Sequence, residues 1–393
     1  MHAERGSALI LALMMLAFLM ILGAALLTSV NLDVAIGENY RSGTQLLYLS
    51  ELGIEEARGT LLRSPRTASE FLQEAAGADG VLSSSPNLDT LLNASDDIPL
   101  INGGDRSIGK LLTDTSGRPA GQVYVFLRND AADGIRSPSD SNQVLTLLSV
   151  AVLGNSRKVM EVTVMKWRFP QLPASLVLAG TPAVFAPAEA VSEISTIGVL
   201  TSEDQAAVLA GIPPPADVAV VDTLLDPRLQ TPAGAERIVD RIVAHASDRI
   251  NPGWSGTSIL GSVGASNDYR IAVVNGDCVL GSGTGFGILL VRGNLGLTGG
   301  FRWNGLILVI GQGSIAWTGT GTGIISGGVF VMRTRANDRS ADNILGTLLP
   351  APGPVDVDFS GTGNSIQLEN PGAAAMDLVN QKFPYLPIAV REY

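Results

Sequence analysis

The first thing the pattern of apolar and polar positions shows is an uncharged run near the start of the chain. After Arg5 no charged residue occurs until Asp33, and the positions from Ser7 to Thr28 are almost all Ala, Leu, Ile, Met or Phe. A helix needs about 20 apolar residues to cross the hydrocarbon layer of a membrane. Beyond this run the pattern becomes amphipathic. Tyr40, Leu47, Ile54, Ala57 and Leu61 recur at spacings of 7, 7, 3 and 4, which stacks them on one helical face. One helix is therefore predicted from about Ala8 to about Leu62, stopped by Pro65 and locally weakened by Gly37, Gly43 and Gly53. Between Thr67 and Leu112 the pattern breaks into loops and a short helix or two. Three strand-like runs follow, Gln122–Leu127, Val144–Val152 and Val159–Trp167, with Gly154-Asn155 as a tight turn between the last two.

Pro170 and Pro173 mark a boundary, after which Gly, Thr, Ser and aliphatic residues dominate. An interruption from Ser202 to Ile250 reads helical. It is clearest over Ala235–Ile250, with Thr231-Pro232 as cap and first turn. Further on, Gly287–Gly293, Gly305–Gly311 and Gly327–Arg333 form an approximate repeat beginning 18 and then 22 residues apart. Short strands joined by Gly and Asn corners, about three per repeat, predict a parallel β-solenoid, with an antiparallel sandwich as the rival. Asn275-Gly276 and Asn304-Gly305 suit such corners, and so do the clusters Gly281–Gly287 and Gly319–Gly323. Neighbouring strand positions face opposite sides. Only one of Ile307 and Leu308 is therefore expected to face the interior, so truncating the two should have unequal effects.

Composition narrows the chemistry. The net charge of −11 argues against nucleic acid, and a single cysteine excludes a disulfide framework or a multi-cysteine metal site. Only His2 and His245 are histidines, and His245 on a helix reads as a surface or packing residue. Gly104 to Lys110 has phosphate-loop spacing, but Leu111 stands where Ser or Thr should bind magnesium. Asp130, Asp133 and Asp140 share one loop with oxygen ligands of the kind calcium takes, but they lack EF-hand spacing and read first as a solvated hairpin loop. No catalytic residue, cofactor site or metal site is assigned, and the chain is not expected to be an enzyme.

The N-terminal sixty residues carry a more specific signal. A short leader ending in Arg5-Gly6 precedes Ser7-Ala8-Leu9-Ile10-Leu11. Gly37-Glu38-Asn39-Tyr40-Arg41 follows, and then Ser50-Glu51-Leu52-Gly53-Ile54-Glu55-Glu56-Ala57. This succession resembles the N-terminal region of PilX-like minor pilins, whose signature reads Ala-Glu-Ala-Gly-x-Glu-x-Ala. Glu51, Gly53, Glu55 and Ala57 match that motif here, and two positions depart from it. The resemblance implies cleavage between Gly6 and Ser7 by a prepilin peptidase, then incorporation beside other pilins and minor pilins in a type IV pilus or related filament. It also implies a single-pass inner-membrane stage before an extracellular or cell-surface one. Major pilins usually carry glutamate at the fifth mature position, where Leu11 stands here, so a tip or initiating subunit is implied.

The expected architecture is α+β. A leader (1–6) precedes a pilin helix (7–64, membrane-spanning over 7–28) and a head with antiparallel strands (65–172). A Gly-rich, mainly-β solenoid-like domain (173–393) follows, with the helical insertion at 202–250. The expected role is a structural subunit whose head serves assembly or adhesion. One alternative is a membrane-anchored extracellular β-helix enzyme acting on polysaccharide, for which Asp277, Arg292, Asp356 and Asp358 are the candidates. Another is a membrane scaffold that is never cleaved.

Overall fold

The structure is a computed structural model. It describes residues 4–64, 66–93, 95–113, 119–186, 193–194, 196–211, 217–317, 321–360, 364–369, 379–380 and 382–393, without the side chains of 4–10, 119, 193–194, 364–365 and 369. The chain is α+β and forms two compact units, Met1–Lys166 with Pro384–Tyr393, and Trp167–Phe383.

In the first unit α1 (Glu4–Arg63) is one unbroken helix of 60 residues, about 90 Å long at 1.5 Å per residue. Two short helices follow, α2 (Ala68–Ala75) and α3 (Leu88–Asn93). A capping box starts α2: the Glu70 amide donates to the Thr67 hydroxyl, and the Thr67 amide donates to the Glu70 carboxylate. The sheet contains β1 (Lys110–Thr113), β2 (Pro119–Asn129), β3 (Val144–Leu153) and β4 (Ser156–Lys166), all antiparallel. Gly154, at φ 58°, makes the predicted turn between β3 and β4. Alternation along β2 divides its side chains between two layers. Val123, Val125 and Leu127 pack in the core shared with α1, whereas Tyr124 and Phe126 pack under Leu88 and Leu91 of α3.

The second unit begins with β5 (Leu176–Leu178), β6 (Pro182–Ala186), β7 (Glu193–Ile194), β8 (Ile197–Val199), α4 (Ser202–Gly211) and β9 (Val218–Val220). After a 3₁₀ turn comes α5 (Pro232–Ala244). Strands then alternate between two sheets: β10 (Asp248–Ile250), β11 (Thr257–Leu260), β12 (Arg270–Val274), β13 (Asp277–Leu280), β14 (Gly283–Val291), β15 (Leu295–Leu297), β16 (Phe301–Gly311), β17 (Ser314–Trp317) and β18 (Gly321–Arg335). The unit closes with β19 (Leu348–Gly353), β20 (Val355–Asp358) and β21 (Asn364–Glu369). Strand β22 (Tyr385–Glu392) then pairs antiparallel with β4.

Both sheets of the second unit are mostly parallel, so the antiparallel sandwich is excluded. One sheet runs β10-β12-β14-β16-β18-β5-β8-β9 and the other β11-β13-β15-β17-β20-β6. The first strand of the unit therefore lies beside β18, within the stack. The chain builds outward to β9 and then restarts at the opposite edge with β10. Seven strand spacings separate those edges, about 33 Å, and α5 (about 20 Å) lies against β16 and β18 along that return.

The glycines of the repeat stand in register, Gly287 beside Gly305 and Gly305 beside Gly327. A Cβ at Gly305 would lie 2.1 Å from the Gly287 carbonyl oxygen, and one at Gly327 would lie 1.6 Å from that of Gly305. The ladder is therefore closed to any other residue. It also divides the partners of β18: β21 pairs before Gly327 and β5 pairs after it. Most of the Gly281–Gly287 cluster and Gly321–Gly323 lie inside β14 and β18 rather than at corners, and Gly319 is outside the described residues.

Several expectations need correction. Tyr40 is 79% exposed. The buried face of α1 is Leu46, Leu49, Gly53, Ile54, Ala57 and Leu61, because the sheet covers the helix only from about Leu46 onward and every described side chain from Leu11 to Arg41 lies beyond it. Helix α5 ends at Ala244 rather than continuing to Ile250, since Asp248–Ile250 is drawn into pairing with β12. Strands β1 and β22 were not anticipated. The return of β22 also takes the last residues out of the Gly-rich unit to which the sequence assigned them. Ile307 and Leu308 are both fully buried. Ile307 stacks with Leu289, Val329 and Leu176 between the sheets. Leu308 stacks with Leu290 and Phe330 on the reverse face.

Candidate functional site

The surface that most needs a partner is the first half of α1. Every described side chain from Leu11 to Tyr40 is exposed, and the best 18-residue window has a mean hydropathy of 2.5. Removing one leucine side chain from water is worth about 1.5–3 kcal/mol. A run that includes Leu11, Phe18, Ile21 and Leu27 is therefore stable only against lipid or other apolar protein. Thr28 and Thr44 donate their hydroxyls to the carbonyls four residues back, Ala24 and Tyr40, so they do not disturb the apolar rod.

The second half of α1 is the seat that holds this rod. Gly53 is buried against the sheet. A Cβ there would lie 2.6 Å from Val123 Cγ2 and 2.7 Å from Ser149 Oγ, so the absence of a side chain sets how closely helix and sheet approach. Ala57, one turn on, is fully buried. Glu51 and Glu55 are exposed. Glu55 pairs with Arg58, whose Nε donates to the Tyr385 carbonyl at 2.8 Å and so ties α1 to β22. Glu56 pairs with Lys110 at the start of β1. The motif thus splits between two jobs: Gly53 and Ala57 make the seat, while Glu51 and Glu55 face outward. Gly6 and Ser7 lie in the backbone of α1, and their side chains are outside the described residues.

The other candidates are occupied by local structure. Lys110 opens a strand rather than a helix, so the 104–110 segment lacks the helix N-terminus a phosphate loop requires. Asp133 accepts from the Ser141 amide and hydroxyl, which hold its pKa down. Asp130 accepts from the Asp133 amide and Asn142, and Asp140 accepts from the Gln143 amide. Burial raises the Asp140 pKa. His245 caps α5, with Nδ1 2.9 Å from the Arg241 carbonyl oxygen. Cys278 is buried, and burial pushes its thiol up to about 12.

The four polysaccharide-site candidates are not brought together. Asp277 binds both guanidinium nitrogens of Arg339 and the Asn294 amide. Asp358 accepts from Ser360, and Asp356 lies beside Ser314 in the sheet. Arg292 donates to Glu236 at 2.5 Å and to the Ile310 carbonyl at 3.1 Å.

Glu236 was missed in the sequence. It also accepts from Thr334 at 2.6 Å and from two nitrogens of Arg335 at 2.8 and 3.0 Å. Burial alone would raise its pKa. The Arg335 hydrogen bonds, the Arg292 charge and the Thr334 hydroxyl outweigh burial and hold it below the usual value. The available signal was a carboxylate on the apolar face of α5, beside Ala235, Val239 and Ile242.

No protein-family model and no curated protein matches this chain. Among solved structures it is similar to the crystal structure of the competence-associated pilin ComZ from Thermus thermophilus, with a TM-score of 0.25 and 11% identity over 90% of this chain and 97% of that one. At that level of superposition the likeness carries no argument about fold or function.

Proposed function

We propose that this chain is a minor pilin-like structural subunit of a type IV pilus or related filament. In this reading a prepilin peptidase cleaves it after Gly6. The span of α1 holds it in the inner membrane, and the same span then packs among other pilins in a filament. The observation that carries the reading is the division of α1. Its first half is a fully exposed apolar rod, and its second half is fixed to an antiparallel sheet through Gly53 of the motif. The second unit, with parallel strands alternating between two sheets and an in-register glycine ladder, is read as a β-solenoid displayed for assembly or adhesion. The polysaccharide-enzyme alternative loses support because Asp277, Arg292 and Asp358 are each engaged with different partners.

Leu11 supports a tip or initiating position. A repeating subunit without a carboxylate there leaves each neighbouring N-terminal amine unpaired in a low-dielectric bundle, where pairing matters most. Quantitative mass spectrometry of sheared filaments should find this chain far below the dominant subunit. Finding it as the dominant subunit would contradict the reading.

A further inference from the structure

The outer face of the first unit's sheet, opposite α1, is only partly covered by α3. Where cover ends, a cleft of about 540 Å³ opens over β2, β3, β4 and β22, within the 300–1,000 Å³ range of small-ligand sites. Its floor is a polar row fixed by strand register, Arg128 beside Thr146 and Thr146 beside Thr163. Arg128 is 4% exposed, and its Nε has no acceptor among the described residues. Its terminal nitrogens are held by the Ser85 carbonyl and, at 3.5 Å, by Glu161. Glu161 also faces Arg391 at 3.8 Å. A buried guanidinium nitrogen without an acceptor is costly unless something supplies one.

The lining also says what kind of ligand would supply it. Among the described lining side chains, two guanidinium groups, Arg128 and Arg391, balance two carboxylates, Asp130 and Glu161. A free anion would meet the carboxylates and a free cation the guanidinium groups. A neutral ligand rich in hydroxyls meets neither penalty. One of its hydroxyls can accept from Arg128 or a threonine while another donates to Glu161. Ile135 and Ile388, 45% and 54% exposed, give the same cleft an apolar flank for the C–H face of a ring.

We infer that this cleft binds a neutral saccharide, held by the Arg128–Thr146–Thr163 row. The inference goes beyond the filament reading and does not depend on it. The test is an array of neutral, sialylated and sulfated oligosaccharides probed with the full-length chain in detergent. Retention on a class of neutral oligosaccharides is expected. Thr146→Val with Thr163→Val should lower it at least tenfold at an unchanged unfolding midpoint, because valine keeps the shape and strand preference of threonine. Thr163→Val alone, at a half-buried position, serves if the double variant unfolds. No retention of neutral oligosaccharides, retention of acidic ones only, or retention unaltered by these variants would overturn the inference. Filament incorporation of the same variants, measured separately, should match wild type. A chain that binds saccharide yet never enters filaments would overturn the filament reading alone.

Discussion

At the scale of single residues, the sequence motif gains physical content at Gly53. Alanine is normally favoured over glycine in a helix by about 1 kcal/mol. At Gly37 and Gly43, where an added methyl group would meet none of the described residues within 4 Å, that ordinary preference holds. At Gly53 the new Cβ would press on Val123 and Ser149, both packed in the sheet. Overpacking of this kind costs about 1–3 kcal/mol. Gly53→Ala should therefore lower the thermal midpoint of the full-length chain, whereas Gly43→Ala should leave it unchanged or raise it. Ser149 Oγ is buried at the same contact without a partner among the described residues, so Ser149→Ala should be neutral or stabilising. Equal effects of Gly53→Ala and Gly43→Ala would contradict this account of the seat. The glycine was legible in the sequence as part of a motif. Its reason was not, because the atoms it makes room for lie about 70 and 100 residues further along.

At the scale of elements, α5 shows how a polar residue can fix a helix to a sheet. Glu236 is clamped between Arg292, 4% exposed, and Arg335, so removing it leaves a buried guanidinium uncompensated. Losing one partner of a buried pair costs about 3–5 kcal/mol, and Glu236→Ala should lower the thermal midpoint accordingly. The pH dependence follows from its lowered pKa. The stabilisation is complete above the unfolded carboxyl's value of 4.5 and is lost as pH falls through the lower folded value. Thermal scans from pH 7 down to about pH 3 should show a steeper drop for wild type than for Glu236→Gln, which keeps only the contributions of the other carboxylates. Identical profiles would contradict the clamp. Helix α5 itself was legible from Thr231, Pro232 and the 3.6-residue period. Its end was not, because the pairing of Asp248–Ile250 with β12 is a tertiary effect that overrides helical pattern. Strand β22 was hidden for a similar reason: its residues follow the Gly-rich stretch in sequence and were assigned with it, and only the pairing with β4 places them in the first unit.

At the scale of the whole chain, local signals gave the long helix, the β3–β4 hairpin and the repeat. They did not give the order of strands in the second unit. A chain that begins inside its own stack, builds outward and restarts at the far edge leaves no periodic trace, because each strand looks alike whichever neighbour it meets. The polar row in the cleft was hidden too, since Arg128, Thr146 and Thr163 come together only through cross-strand register. The central claim rests on the part that was most legible, the apolar half of α1 and the junction before it. It is tested most directly by the N-terminus of the chain recovered from sheared surface filaments, read by sequencing or intact mass. The account predicts a mature chain beginning at Ser7. A chain that retains Met1, or one found only in the membrane fraction, would contradict it.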